Sequence, residues 1–443
     1  MTMNRRGFLK KAGITAAGVF AAPYILPSGR LFAATGARMV DHVVYCLFAG
    51  GVRNLDSVQK ADGNLMKNIL TGTESISADI ASAMSVLPGS PLGGTRLQSL
   101  GTLYKNFRYT EGPTGHYAAH TVAMTGRYVN TSINLNRAPE YPTVFELFRR
   151  HSSPEKNALN AWWIANSLGP YPALNYSSYE GYGPGFGANF LQPLSLISQR
   201  GLDALGNMVP FNSNQENTAS GIRNFLNKNF KPSSYALDAG VFNNETDAAS
   251  MRSFISSTLT NAVAGQYDNP WGAGAAMNGD MYNVFFAGKI IEQFKPELLV
   301  VNMQDVDVCH FEFTSYADNL RKADYAVARL WETIQNTPGM ANNTVMIVVP
   351  EHGRNLTPNT VIDAYGRYAI DHTAIDASGD QTAREIFCLI AGPPSVVKQN
   401  QVISSVTGQS VDVVPTIARI LGFDTNIPGD VSLPGRFLNE AFF

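Results

Sequence analysis

Apolar positions in this chain come in short unbroken runs rather than in strict alternation. Residues 43–49 (VVYCLFA), 158–165 (ALNAWWIA), 298–303 (LLVVNM), 344–349 (TVMIVV) and 385–391 (EIFCLIA) all have strand length. A strand that is apolar at consecutive positions must be covered on both faces, which suits a mostly parallel sheet. Between these runs, residues 117–124, 143–150, 316–335 and 411–421 carry apolar positions at helical spacing, and Gly422 follows the last of them as a stop signal. The order strand, helix, strand predicts an α/β fold with a mostly parallel central sheet flanked by helices.

The stretch 166–278 breaks this rhythm. It holds few convincing strands and is rich in Gly, Pro, Asn, Ser and Tyr, as in GPYPALNYSSYEGYGPGFGANF. It reads either as an irregular insertion packed over the sheet or as a substrate-facing lid, with Trp162, Trp163, Tyr171, Tyr176, Tyr179 and Tyr182 as stacking surfaces.

Composition changes the picture in two ways. The 443 residues suffice for one large α/β domain or two ordinary ones, but only 15% are charged, with 33 Lys and Arg against 35 Asp and Glu. With no basic stripe, nucleic acid is excluded as a partner. The first residues, MTMNRRGFLKKAGITAAGVFAAPYILPSGRLFAATGA, place Arg5 and Arg6 before Gly7, Phe8, Leu9 and Lys10, with a modest apolar segment behind. This resembles a twin-arginine export signal. Pro23 and Pro27 interrupt the segment, leaving it short of the roughly 20 residues of a membrane span. The expected organisation is therefore a signal in residues 1–37, read by the twin-arginine export machinery, and an α/β domain in 38–443 that works in the periplasm or outside the cell. Removal of the signal takes away Arg5, Arg6, Lys10, Lys11 and Arg30 and no acid, moving the formal charge from −2 to about −7. Cys46, Cys309 and Cys388 are widely spaced in apolar sequence and read as buried thiols.

The histidines are the most informative residues, because there are only seven. His116 and His120 lie in EGPTGHYAAHTVAMTGRYVN, His310 in VVNMQDVDVCHFEF, His352 in PEHGRN and His372 in AIDHTAID; His42 and His151 have no such setting. In a parallel sheet the loops after the carboxyl ends of the strands converge on one rim. Asp305, Asp307 and His310 follow the run 298–303, and Glu351 and His352 follow the run 344–349, so both groups reach that rim. Carboxylate oxygen and neutral imidazole nitrogen from separate strand ends are what one or two divalent cations require, with zinc or manganese the best match. Gly353 is expected to permit a backbone turn that a Cβ would hinder.

These residues resemble the alkaline phosphatase superfamily, which includes sulfatases, nucleotide pyrophosphatases and cofactor-independent phosphoglycerate mutases. The resemblance rests on DVDVCH after a central strand, on EHG at a strand end, on the later His372 and on SVDVVPTIARILGF near the C-terminus. It implies an alkaline-phosphatase-like fold and metal-assisted hydrolysis of phosphate or sulfate esters. Asp307 or Asp305, with His310 and His372, would hold one ion; Glu351 and His352, with His116, would hold another. The chain also departs from the pattern. The first strand ends in Ala49, Gly50 and Gly51, where the superfamily has a metal-binding Asp. Counting back from MTGRY, the nucleophile position falls on His116, with Thr114 two residues away. Direct attack by metal-activated water then replaces a covalent intermediate, unless His116 is itself phosphorylated. An exported, twin-arginine-tagged branch of unassigned function is similar in FAGGVRN, GHYAAH and PEHGRN. Arg354 and Arg127 are the cations expected to grip a small anionic ester or glycan substrate, and Glu111, Asp371 and Asp376 are candidates to orient imidazoles. The rival reading is a non-catalytic protein that binds a glycan or surface partner through its aromatic insertion.

Overall fold

A computed structural model describes residues 38–59, 64–132, 135, 137–166, 171–194, 241–272, 277–375 and 378–443, together with a short antiparallel pairing of Tyr24–Ile25 with Leu31–Phe32. Most of the expected signal segment and residues 195–240 of the insertion lie outside the described residues. Eight strands form the main sheet: β1 His42–Phe48, β2 Gly101–Arg108, β3 Ala161–Ile164, β4 Asn189–Leu191, β5 Leu298–Met303, β6 Thr344–Pro350, β7 Glu385–Ala391 and β8 Gln401–Gln409. Their spatial order is β8-β2-β7-β6-β1-β5-β3-β4. Only β7 runs against its neighbours, so the sheet is mostly parallel, as the apolar runs require.

Helices α1 His116–Thr125, α2 Val144–His151, α3 Glu245–Val263, α4 Gly279–Phe294, α5 Phe313–Asn336 and α6 Val413–Leu421 cover the sheet. The alternation of side chains along β1 shows why two layers are needed. Val44, Cys46 and Phe48 enter one core with residues of α3, α4 and α5. Val43, Tyr45 and Leu47 enter the other with residues of α1, α2 and α6. All three cysteines are buried free thiols. Among the described residues no helix is long and apolar enough to cross a membrane.

The insertion is less irregular than its composition suggests. It contributes the edge strand β4 and the 19-residue helix α3, whose N-terminus is capped by the Asn244 side chain accepting from the Asp247 N–H. Trp162 and Trp163 are not stacking surfaces: they sit in β3 with 1% and 0% exposure, one in each core. Tyr179 and Tyr182 pack edge to face at 5.7 Å, and Tyr141 stacks on Tyr179. Tyr171's side chain lies outside what is described.

What positions the site is the register of three adjacent central strands. Phe48 at the end of β1 is level with Met303 at the end of β5 and with Pro350 at the end of β6. The chain leaves all three strands at one height, so Gly50, Asp307 and Glu351 emerge side by side.

Candidate metal centre

The segment Asp305–His310 after β5 is a 3-10 helix. With about three residues per turn, positions i and i+3 eclipse, and this puts Asp307 and His310 on one face, Asp307 Oδ1 standing 3.3 Å from His310 Nε2. On α1, His116 and His120 are one helical turn apart and share a face. His116 Nε2 meets Asp307 Oδ2 at 3.1 Å and its Nδ1 meets Glu351 Oε1 at 2.9 Å. His372, from the loop after β6, brings its Nε2 to 2.7 Å from His310 Nε2 and 3.7 Å from Asp307 Oδ1. Its ring stacks on His352 with centroids 4.0 Å apart. Two overlapping donor sets result: His116, Asp307, His310 and His372, and His116, Glu351 and His352, each with its donor atoms within 4.8 Å of one another.

The tautomers follow from the groups behind the rings. His310 Nδ1 faces the Asp371 carboxylate at 2.6 Å, His372 Nδ1 faces the Thr114 carbonyl at 2.6 Å, and His352 Nδ1 faces the Gly353 carbonyl at 2.8 Å. Each of these partners only accepts, so each Nδ1 carries the proton and each Nε2 presents a lone pair to the shared centre. Two lone pairs 2.7 Å apart beside a carboxylate oxygen repel unless a cation lies among them. A proton shared between the two nitrogens would serve those two alone; a divalent ion could be held by both and by Asp307 Oδ1, which also accepts from Arg354. In the second set, His352 Nε2 is buried without a hydrogen-bond partner, 3.1 Å from Glu351 Oε1.

The electrostatics agree. Burial pushes the Asp307 carboxyl up, but the imidazoles around it, His116 foremost, outweigh it and hold the group well below the usual carboxylate range. Glu351 behaves alike, with burial outweighed by His120, His352 and His116. Burial keeps His352 and His372 below the usual imidazole value, so both are neutral, as ligation requires. His116 goes the other way: burial disfavours its charge, yet Glu351 and Asp307 raise it to about 10.

The two glycines that follow the first strand have a steric reason. Gly50 and Gly51 have φ of +112° and +78°, and a Cβ would lie 2.7 Å from Asp307 Cβ at the first and 2.4 Å from His352 Nδ1 at the second. There is no room for an aspartate where Asp307 and His352 already stand. The Gly50 N–H instead donates to Glu351 Oε1.

Of the residues expected at the site, Asp307, His310, Glu351, His352, His372 and His116 come together, and four others do not. Asp305 is off the Asp307 face of its 3-10 helix, and its Oδ2 accepts from the Asp280 N–H at 3.0 Å. Thr114 is 1% exposed and its hydroxyl donates to the His372 carbonyl at 3.0 Å, a positioning contact that leaves no free nucleophile. Arg354 is 0% exposed; its guanidinium donates to the carbonyls of Gly50, Gly51, Val306 and Ile370 and to Asp307 Oδ1 at 3.0 Å. It braces the loops and the Asp307 carboxylate from within the fold. Arg127 lies beyond the far end of α1, 4.1 Å over the Tyr141 ring and bonded to the Ser432 carbonyl. The aromatic group of the insertion gathers there, at the opposite end of α1 from His116.

Gly353 has a different reason for being glycine than a turn: a Cβ there would meet the Glu385 carbonyl oxygen at 2.4 Å. Glu111 lines a cleft with Tyr128 and Arg384 that no residue of the cluster shares, and Asp376 lies outside the described residues. Sequence reasoning noted His120 without assigning it to the site and missed Asn302. His120, fully buried, contacts Glu351 Oε2 and sets its Nε2 3.0 Å from Asn302 Oδ1. The signals were the four-residue spacing from His116 and the polar Asn302 inside an otherwise apolar strand.

No family model matches the chain, and no curated protein matches it. Solved structures resemble it at low identity. A protein in the alkaline phosphatase superfamily from Vibrio parahaemolyticus is 10% identical, with 92% of this chain and 72% of that chain covered and a TM-score of 0.43. The lipoteichoic acid synthase LtaP from Listeria monocytogenes is 10% identical over 94% and 79%, with a TM-score of 0.42. The wild-type alkaline phosphatase PafA is 10% identical over 91% and 99%, with a TM-score of 0.46.

Proposed function

We propose that this chain is an exported metal-dependent hydrolase that cleaves phosphate or sulfate esters of small anionic or glycan substrates with water as the nucleophile. The observation that carries this reading is the convergence of three Nε2 lone pairs, of His310, His372 and His352, on the carboxylates of Asp307 and Glu351, with every one of those rings held from behind by an acceptor. Asp307, His310 and His372 would hold one ion, and Glu351 with His352 a second, poorer one; mixed nitrogen and oxygen donors suit zinc or manganese. A divalent ion bound there supplies Lewis-acid polarisation of an ester oxygen and an acidified water.

The chain's own residues do the rest. Asp371 and the Thr114 and Gly353 carbonyls fix the ring orientations, and Arg354 fixes Asp307. His116, lying between the two carboxylates, holds a proton within reach of a leaving ester oxygen. With the Thr114 hydroxyl engaged and both His116 ring nitrogens held by carboxylates, water is the nucleophile the geometry favours. Arg5 and Arg6 in the leader support export by the twin-arginine route, and FAGGVRN, GHYAAH and PEHGRN support the exported branch of the superfamily.

A second reading, a non-catalytic member that binds a glycan or surface partner, draws on one observation: two of the groups expected to attack or grip a substrate, Thr114 and Arg354, are engaged internally. Purified protein separates the two. Elemental analysis should find zinc or manganese, and aryl phosphate, aryl phosphodiester or aryl sulfate hydrolysis should vanish with chelator and return with metal. His310→Ala and His372→Ala should lose metal and activity together. Bound metal without hydrolysis of any of the three ester classes would favour the binding reading, and metal-free protein whose stability ignores chelator would end the metal assignment.

A further inference from the structure

A second group of buried polar side chains lies where α4 begins, beside the end of β5, and the site above does not use it. Asp280, in the first turn of α4, is fully buried; its oxygens accept from the Gln304 N–H at 2.6 Å and the Asp305 N–H at 3.1 Å. Asp305 returns the contact, accepting from the Asp280 N–H. The positive end of a helix accounts for one carboxylate here. It does not account for two in mutual contact, and Lys322, which Asp305 feels, is paired with Asp318 at 3.0 Å.

The amides around the pair are the independent observation. Asn166, 3% exposed, has no hydrogen-bond partner at either Oδ1 or Nδ2; Asn283 Oδ1 and Gln304 Oε1, on residues 0% and 8% exposed, have none either. Buried polar atoms are rarely left unpaired, because each costs about 1–3 kcal/mol. The Asn166 amide points at the acids: its Nδ2 and the two Asp305 oxygens stand 2.7, 3.0 and 3.1 Å from the point where a Cβ on Gly279 would sit. Asn283 is one turn along α4 from Asp280, on the same face. With the Asn166 amide turned over, so that its oxygen and not its nitrogen faces Asp305, the two carboxylates and the unpaired amide oxygens would supply a hard oxygen donor set without a histidine or cysteine.

We propose that Asp280, Asp305, Asn166, Asn283 and Gln304 form a calcium-class cation site, distinct from the histidine cluster, that clamps the start of α4 to the segment carrying Asp307 and His310. Calcium accepts six to eight oxygens in irregular geometry, which mixed carboxylates and amides can supply with water; magnesium, which demands a regular octahedron, fits less well. The ion neutralises two interior charges and gives the unpaired amide oxygens a partner.

The test uses the full chain, stripped with chelator and then saturated with zinc or manganese to fill the histidine cluster. Calcium should bind near one per chain by equilibrium dialysis with radioactive calcium. At a hundred times its dissociation constant it should raise the melting temperature by about 3 °C, and magnesium at the same concentration should do less. Asp280→Asn and Asn166→Ala should each abolish the calcium-dependent rise while keeping the zinc or manganese content. Asn166→Ala leaves both carboxylates in place, so it reports even if Asp280→Asn does not fold. No calcium binding by the loaded wild type, which would mean that only water fills the space, overturns the proposal; so does unchanged binding by Asn166→Ala.

Discussion

Two residues without side chains shape the candidate metal centre as much as those that face it. At Gly51 the backbone is left-handed, and even a methyl group would stand 2.4 Å from His352 Nδ1. Gly51→Ala is expected to displace the imidazole and to add strain of about 1–3 kcal/mol. The variant should fold, judged by circular dichroism, yet bind much less zinc or manganese than wild type by elemental analysis; equal metal content would show that His352 is not a ligand. Much of the residue inventory was legible, because His, Asp and Glu in a sequence poor in charge stand out. The direction of each side chain was not. Asp305 and Asp307 are two positions apart, and in a 3-10 segment that spacing points them to different neighbours, one to α4 and the other to the histidines. Arg354 looked like a free cation for the same reason: nothing local reveals that five oxygen acceptors, four of them carbonyls, surround it.

At the scale of elements, the buried strands were legible because a run of consecutive apolar residues has few alternatives to a covered sheet. The strands that escaped notice are those with weaker patterns: β2, whose run is broken by Thr102, Lys105 and Asn106, β8, at the edge of the sheet and largely exposed, and β4, three residues long. The helices α3 and α4 were hidden by a Gly- and Asn-rich surrounding, though Asn244 and Asn278 cap both with side-chain oxygens, a signal that was present. The first residue of β1 gives a test at this scale. His42 is 0% exposed, and its Nδ1 donates to the Pro296 carbonyl at 2.9 Å. Burial holds its pKa below the ordinary 6.5. The unfolded chain therefore takes up a proton near pH 6.5 that the folded chain refuses. The stabilisation is complete above that pH and is lost below it, by up to about 1.4 kcal/mol per pH unit until the folded group titrates. Denaturant unfolding between about pH 7 and pH 5 should show a shallower loss in His42→Gln than in wild type; parallel curves would refute the assignment.

On the scale of the whole molecule, three strands of one register bring the clustered acids and imidazoles to a single rim, and Arg5 and Arg6 are proposed to address the chain for export. Joint replacement Arg5→Lys and Arg6→Lys is expected to strand the precursor inside the cell, as fractionation would show; unchanged export would remove the twin-arginine assignment. The five buried apolar strands, the low charge and the scarcity of histidine were determined by the sequence alone. Each depends on local pattern or on composition, which the chain carries without folding. Only the tertiary structure decided which acids meet which imidazoles. His116 is 191 residues from Asp307 and 235 from Glu351, yet it bonds to both within 3.1 Å. Contacts of that kind are set by strand register, by the face a helix turns inward and by the room left where a Cβ is missing, and these quantities exist only once distant segments have packed.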